Sequence, residues 1–135
     1  MEKSFGIIIF RSNTEIEYLL LETKNYWGFP KGHAKEDETE IESAIRETVE
    51  ETGIKKLEIQ KGFYKIIKYE YFNRGKGVEK TVAYFLAKTK QKEVRISDEH
   101  VGYIWANYLE ARNKVNHMNS KKLLDAANEF LTKKK

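Results

Sequence analysis

The stretch Gly32-His33-Ala34-Lys35-Glu36-Asp37-Glu38-Thr39-Glu40-Ile41-Glu42-Ser43-Ala44-Ile45-Arg46-Glu47-Thr48-Val49-Glu50-Glu51-Thr52-Gly53-Ile54 decides how this chain folds. Its core predicts a helix over Glu38 to Thr52, closed by Gly53 at the position where a left-handed residue commonly ends a helix. At about 100° per residue, Ile41, Ala44, Ile45, Thr48 and Val49 fall on one side, which predicts the packing face. Glu47, Glu50 and Glu51 stand at i, i+3 and i+4 and are expected on a different face. Like charges at this spacing destabilise a helix by a few tenths of a kcal/mol each, so something cationic should offset them. On a solvated surface Arg46 with Lys55 or Lys56 would do so. The functional alternative is a hard divalent cation, because Mg²⁺ and Mn²⁺ prefer carboxylate oxygens and share their coordination with substrate phosphates. No His or Cys at zinc-ligand spacing competes with that reading.

The helix sits in a chain otherwise rich in strands. Upstream, Phe5 to Phe10 is apolar at every second position on both faces, as in a strand covered on both sides. Glu17 to Thr23 reads as its partner across the turn signal Ser12-Asn13, and a glycine-punctuated loop, Trp27 to His33, leads into the helix. Downstream, Leu57 to Phe72 and Val78 to Ala87 predict two strands joined by a hairpin loop at Asn73 to Gly77. Gly102 to Ala106 predicts a short strand and Tyr108 to Asn113 a short helix. A last helix is expected with Ser120 as its cap and a buried stripe of Leu123, Leu124, Ala127, Phe130 and Leu131. Strands with interspersed helices imply an α/β fold, helices layered against a mixed sheet.

Composition bounds the rest. The chain has 135 residues, with 25 Lys+Arg against 21 Asp+Glu, a formal net charge of +4, and no cysteine. That length predicts one domain over residues 1–135, large enough to need neither disulfides nor a structural metal. Without cysteine, a disulfide scaffold, an iron–sulfur centre, a cysteine-ligated zinc site and a thiol nucleophile are excluded. Apolar runs such as Ile7-Ile8-Ile9-Phe10 are far shorter than the roughly 18 residues of a membrane span. The start of the chain lacks a signal-peptide pattern, so a soluble, cytoplasmic protein with no membrane partner is expected. The net charge decides nothing between nucleic acid, nucleotide and a solvated surface. Lys133-Lys134-Lys135 suits the C-terminal end of a helix dipole.

Gly32-x5-Glu38-x7-Arg46-Glu47-Thr48-x-Glu50-Glu51-x-Gly53-Ile54 resembles the signature of the Nudix hydrolases, G-x5-E-x7-R-E-U-x-E-E-x-G-U with U a bulky aliphatic residue. Every fixed Gly, Glu and Arg matches, and Thr48 stands at the first U. The resemblance implies an α/β/α sandwich, a mixed sheet between helices, and Mg²⁺-dependent hydrolysis of a nucleoside diphosphate linked to another moiety. By position it implies that Glu47, Glu50 and Glu51 hold Mg²⁺ (or Mn²⁺), with a main-chain carbonyl of Lys31 or Gly32, and that Arg46 orients a catalytic carboxylate. Divalent ions neutralise a polyphosphate and lower the pKa of bound water. Clustered carboxylates without metal should include one with a raised pKa, and activity should fail at low pH as ligands protonate.

Phe29-Pro30-Lys31-Gly32-His33, Arg46-Glu47-Thr48, Lys80 to Ala87 and Ser97-Asp98-Glu99-His100-x2-Tyr103-x-Trp105 are together similar to the asymmetric diadenosine tetraphosphate hydrolases. That likeness implies water attack yielding ATP and AMP, phosphate contacts from Lys31, His33 and Lys80, and adenine stacking on Tyr84 and Tyr103. Lys80 and Tyr84 are four apart, so a strand puts them on one face with Val82. Glu99 resembles an accessory metal ligand or general base, and Glu50 or Glu51 competes for the second role. Two other functions fit the sequence. One is another Nudix activity, removing pyrophosphate from RNA 5′ ends or clearing damaged nucleoside triphosphates. RNA would need a basic groove, for which Lys61, Lys65, Lys68, Arg74, Lys76 and Lys80 stand against Glu70 and Glu79. The other is a non-catalytic nucleotide-binding module, against which the full glutamate set argues. Oligomeric state is open.

Overall fold

The computed structural model describes residues 2–133. Its elements run β1 (Glu2–Ser12), β2 (Ile16–Glu22), β3 (Trp27–Gly28), β4 (Lys31–His33), α1 (Glu40–Thr52), β5 (Glu58–Ile59), β6 (Lys65–Asn73), β7 (Lys76–Lys88), β8 (Gly102–Asn107), α2 (Tyr108–Lys114) and α3 (Met118–Lys133). One mixed sheet holds all the strands. β1 runs parallel to β7 in a register from Glu2↔Lys80 to Phe10↔Lys88, and every other pairing is antiparallel.

Alternation along the two central strands makes two cores. Phe5, Ile7 and Ile9 of β1 join Leu19, Leu21, Ala83 and Ala87 against Ala44 of α1. Ile8 and Phe10 join Tyr18, Leu20, Val82, Tyr84 and Leu86 against Ala111 of α2 and Leu123, Leu124 and Ala127 of α3. Both faces are therefore covered, as the unbroken apolar run in β1 predicts, and the α/β sandwich expected from the sequence is the fold observed. Among the described residues, no helix is long and apolar enough to cross a membrane.

Several boundaries differ from the sequence expectation. Helix α1 starts at Glu40, because Thr39 caps it in a reciprocal capping box with Glu42. Leu57 to Phe72 is not one strand: Gly62, at φ 95°, turns the chain between β5 and β6. The hairpin turn is only Arg74-Gly75, both with positive φ, so β7 already begins at Lys76. Ser120 lies inside α3, 6% exposed, and does not cap it. Lys133 ends α3 and pairs with Glu129, whereas Lys134 and Lys135 lie outside the described residues.

The largest correction concerns α1. Its buried residues are Ser43, Ala44, Thr48, Glu51 and Thr52, while Ile41, Ile45 and Val49 are only half-buried. Glu51 thus belongs to the packing face, in line with Ala44 and Thr48, and is separated from the exposed Glu50. The last-turn carbonyls of α1 are taken up by neighbours: Gly53 N donates to Val49 O, and Arg95 N to Thr52 O at 2.8 Å. Gly53 holds φ 71°, and a Cβ there would lie 3.2 Å from Arg95 Cβ. Gly53→Ala is therefore expected to destabilise the protein by about 1–2 kcal/mol, read as a lowered urea midpoint at constant m.

Candidate active site

The two antiparallel neighbours of β1 divide its edge. β2 pairs with Phe10 to Ser12, and β4 pairs with Ser4 to Gly6. The segment between them, residues 23–30, pairs only at Trp27–Gly28, as β3 with Leu21 and Glu22 of β2, and Pro30 O accepts from Ile7 N at 3.3 Å. The result sets Lys31 and Gly32 directly against α1. A Cβ on Gly32 would come within 2.0 Å of Glu47 Cδ, so the glycine makes room for a carboxylate against the main chain.

Arg46 organises the exposed side of this contact. Its guanidinium donates to both oxygens of Glu38 at 2.6 and 3.0 Å, to Glu47 Oε2 at 2.9 Å, to Glu50 Oε1 at 3.1 Å and to His33 O at 2.8 Å. Glu38 further accepts from Lys35 N and Ser43 Oγ. Its carboxyl is held down at about 2, chiefly by the Arg46 hydrogen bonds, then by Lys35 N–H. Glu50 remains at the rim with about half its side chain exposed.

Glu51 is the opposite case. It is 6% exposed, accepts from Lys31 N–H, shares a hydrogen bond with Glu47 and has His100 Nε2 at 3.5 Å. Burial, followed by the charge of Glu47, pushes its carboxyl up to about 8. As they stand, no three His, Asp or Glu side chains among the described residues are grouped around a metal position. Glu47 and Glu50 turn to Arg46, and a proton stabilises the Glu47–Glu51 contact. The donors nevertheless suit a hard cation. They are all oxygens, burial pushes the inner carboxyl of Glu51 toward its neutral form, and Gly32 leaves the main chain open beside them.

Two cavities meet here. One of about 90 Å³ is lined by Lys31, Glu51, Glu99, His100 and the Tyr26–Phe29 loop. The other, about 450 Å³, shares Lys31, Tyr26 and Phe29 as a wall and is otherwise mainly aromatic, with Tyr69, Tyr71, Tyr84 and His117 beside Lys80, Glu2 and Ser120. Burial, then the neighbouring Lys31, lowers the Lys80 ammonium below its ordinary value. Two cations that disfavour each other make a receptor for an anion.

Lys31, Lys80, Tyr84, Glu51 and Glu99 from the sequence reading are thus brought together, with Glu47 and Arg46 alongside. Two others are not. Tyr103 shares the α1 face of the sheet with Trp105 and is 42% exposed, whereas Tyr84 faces α3, so they do not hold one base between them. The His33 ring is exposed, with Nδ1 3.3 Å from Lys3 O, and lines neither cavity, while its carbonyl holds Arg46. Sequence reasoning missed Tyr26, Tyr69, Tyr71 and His117. Tyr69 and Tyr71 were findable from alternation with Ile67, which faces the same core. His117 meets Tyr26 edge-on at 5.6 Å across a fold contact that no local pattern signals.

A charged pocket beside an acidic helix, on a sheet between helices, is the arrangement of a pyrophosphohydrolase. The chain belongs to the Nudix family, whose NUDIX domain profile matches residues 2–127, and it is a Nudix pyrophosphohydrolase acting on a nucleoside polyphosphate. It is 38% identical over 143 residues to the asymmetrical bis(5′-nucleosyl)-tetraphosphatase of Sus scrofa, covering 96% of this chain and 95% of that protein. The Rattus norvegicus protein of the same name is 36% identical over 143 residues, at the same coverage. Among solved structures, a binary complex of the C. elegans Ap4A hydrolase matches with a TM-score of 0.88 at 34% identity, covering 98% of each chain.

Two outcomes are expected. In metal-free protein, Glu51 keeps its proton in the native state while the unfolded chain, at the ordinary 4.5, releases it. Between pH 4.5 and about 8 the native state binds more protons, so unfolding free energy falls as pH rises. Glu51→Gln should flatten that slope in denaturant titrations; an unchanged slope contradicts the burial assignment. Separately, Gly32→Ala should displace the Glu47 carboxylate and lower kcat by about tenfold or more with little change in the urea midpoint.

Proposed function

We propose that this enzyme cleaves diadenosine tetraphosphate asymmetrically into ATP and AMP in the cytoplasm, by attack of water on phosphorus. The observation that carries the reading is the shared position of Lys31. Its main-chain N–H holds Glu51 in the acidic cavity, and its side chain lines the aromatic one with Lys80. A polyphosphate laid along that wall has cations on one side and a carboxylate cluster at its end. Aromatic rings from Tyr26, Tyr69, Tyr71 and His117 offer a stacking surface for one adenine, worth roughly 1–3 kcal/mol per base, and Tyr84 closes its floor. The relatives named tetraphosphatase, alike over nearly the whole chain, support this substrate.

Mg²⁺ or Mn²⁺ held by Glu47, Glu50, Glu51 and the Lys31 or Gly32 carbonyl would neutralise phosphate charge and make bound water more acidic. The chain's own residues supply the rest. Arg46 fixes Glu47 and Glu50 against Glu38 and the His33 carbonyl, so their carboxylates cannot swing freely. Lys31 and Lys80 bind phosphate oxygens. Glu99 and Glu51 both line the smaller cavity, and the one within reach of the attacking water takes its proton. His33 and Tyr103 are left out of the binding site.

The test is a substrate panel with Mg²⁺ and product analysis. ATP plus AMP from diadenosine tetraphosphate is expected. Pyrophosphate released from triphosphate RNA would instead select RNA-end processing, and binding without turnover a sensor. Glu50→Gln is expected to lower kcat about tenfold or more while the protein stays folded. Near-normal turnover would remove Glu50 from the metal site.

A further inference from the structure

His100 is buried beside the reaction site and has no part in the steps above. Its Nδ1 lies 3.1 Å from Ser97 Oγ and its Nε2 3.5 Å from Glu51 Oε1, with only 7% of the His100 side chain and 8% of the Glu51 side chain exposed. The turn that carries the ring is fastened to the same helix end. Ser97 N donates to Glu51 O at 3.3 Å, Arg95 N to Thr52 O at 2.8 Å, and His100 N to Ser97 O at 3.0 Å. On its far side, Val101 N donates to Glu22 O at 2.8 Å. The imidazole is therefore held at a fixed place relative to α1, facing the one carboxylate of that helix that is buried.

We propose that His100 is a positioning residue: oriented by Ser97, its ring aims the Glu51 carboxylate at the cation the reaction uses. This rests on the reading above that Glu51 is a ligand of that cation. Once Glu51 is ionised, Nε2 must carry the hydrogen to face it favourably. The Ser97 hydroxyl, free to rotate, then donates to Nδ1. A neutral donor is what the position calls for. A Lys or Arg there would hold the carboxylate equally well, but its charge would compete with the cation. Outer-shell partners of this kind are worth about 10–100-fold in metal affinity or activity.

The experiment measures Mn²⁺ affinity of the nucleotide-free enzyme, from the electron paramagnetic resonance signal of free Mn²⁺, together with kcat and KM. His100→Ala should weaken Mn²⁺ binding and lower kcat by about tenfold or more, with KM within about twofold. His100→Gln, whose Nε2 can donate from a similar place, should recover most of both losses. Ser97→Ala should give a smaller loss in the same direction and none in the His100→Ala background. If His100→Ala fails to fold, Ser97→Ala and His100→Gln carry the test. Unchanged Mn²⁺ affinity and kcat in a folded His100→Ala enzyme overturn the proposal, as does a Gln variant no better than Ala. Glu51→Gln separates the two layers. If it alone weakens Mn²⁺ binding, only the role of His100 fails; if it too leaves Mn²⁺ binding unchanged, the ligand assignment fails with it.

Discussion

A carboxylic acid on the buried face of a helix is the constraint around which this structure is arranged. Glu51 occupies a position in line with Ala44 and Thr48, where a leucine would add to the core. An ionised carboxylate there is several kcal/mol out of favour unless it is paired or hydrogen-bonded. The fold supplies one main-chain donor from Lys31, a shared hydrogen bond with Glu47 and an imidazole. It supplies no cationic side chain in contact. Burial thus favours the neutral acid in the free protein, and a metal ion bound as proposed above would take the place of its proton. The energetic penalty is localised where the proposed cation would remove it, which is how a functional site departs from the rules its surroundings obey.

The sheet determines what can meet that carboxylate. β1 gives one edge to β7 from Glu2 to Phe10 and divides the other between β2 and β4. The division leaves room for the chain around β3, paired only with the end of β2, to wall the site and returns the chain at Lys31 against the helix. Parallel pairing of β1 with β7 also puts Lys80 opposite Glu2, at the end of the sheet where Lys31 re-enters. Both lysines and the acidic helix face therefore follow from one strand arrangement. The strap of residues 92–101 completes the enclosure by hydrogen-bonding the helix C-terminus, and so carries Glu99 and His100 to the same place.

What the sequence made legible follows interaction range. The glycines, glutamates and arginine between Gly32 and Ile54 sit within one loop and helix, and their roles depend on spacing that can be read along the chain. Alternation in β1 and β7 likewise revealed two buried faces. The rotation of α1 was misread because Ile41, Ile45 and Val49 outrank Glu51 and Ser43 in hydrophobicity, while the structure buries Ser43, Thr48, Glu51 and Thr52 with Ala44. Tyr103 was assigned to the pocket by its position in a motif, yet the face of the sheet on which β8 presents it was not readable without knowing that β8 pairs with β2. His117 had no local signature at all. Its position against Tyr26 depends on how α3 docks, a contact between residues far apart in sequence.

Opposite charges at this site are sorted by backbone as much as by side chains. Arg46 collects the outer acids Glu38, Glu47 and Glu50, and so prevents them from reaching the lysines of the larger cavity. Lys31 turns its N–H toward Glu51 and its side chain toward Lys80, whose ammonium is lowered below its ordinary value by burial and by Lys31 against the pull of Glu2. If the two sets neutralised each other directly, neither phosphate nor cation would gain by entering. Kept apart across a few ångströms by one loop and one arginine, each set retains an unsatisfied field. A substrate carrying phosphates together with a divalent ion, bound as proposed above, would satisfy both at once and so couple the two halves of the site.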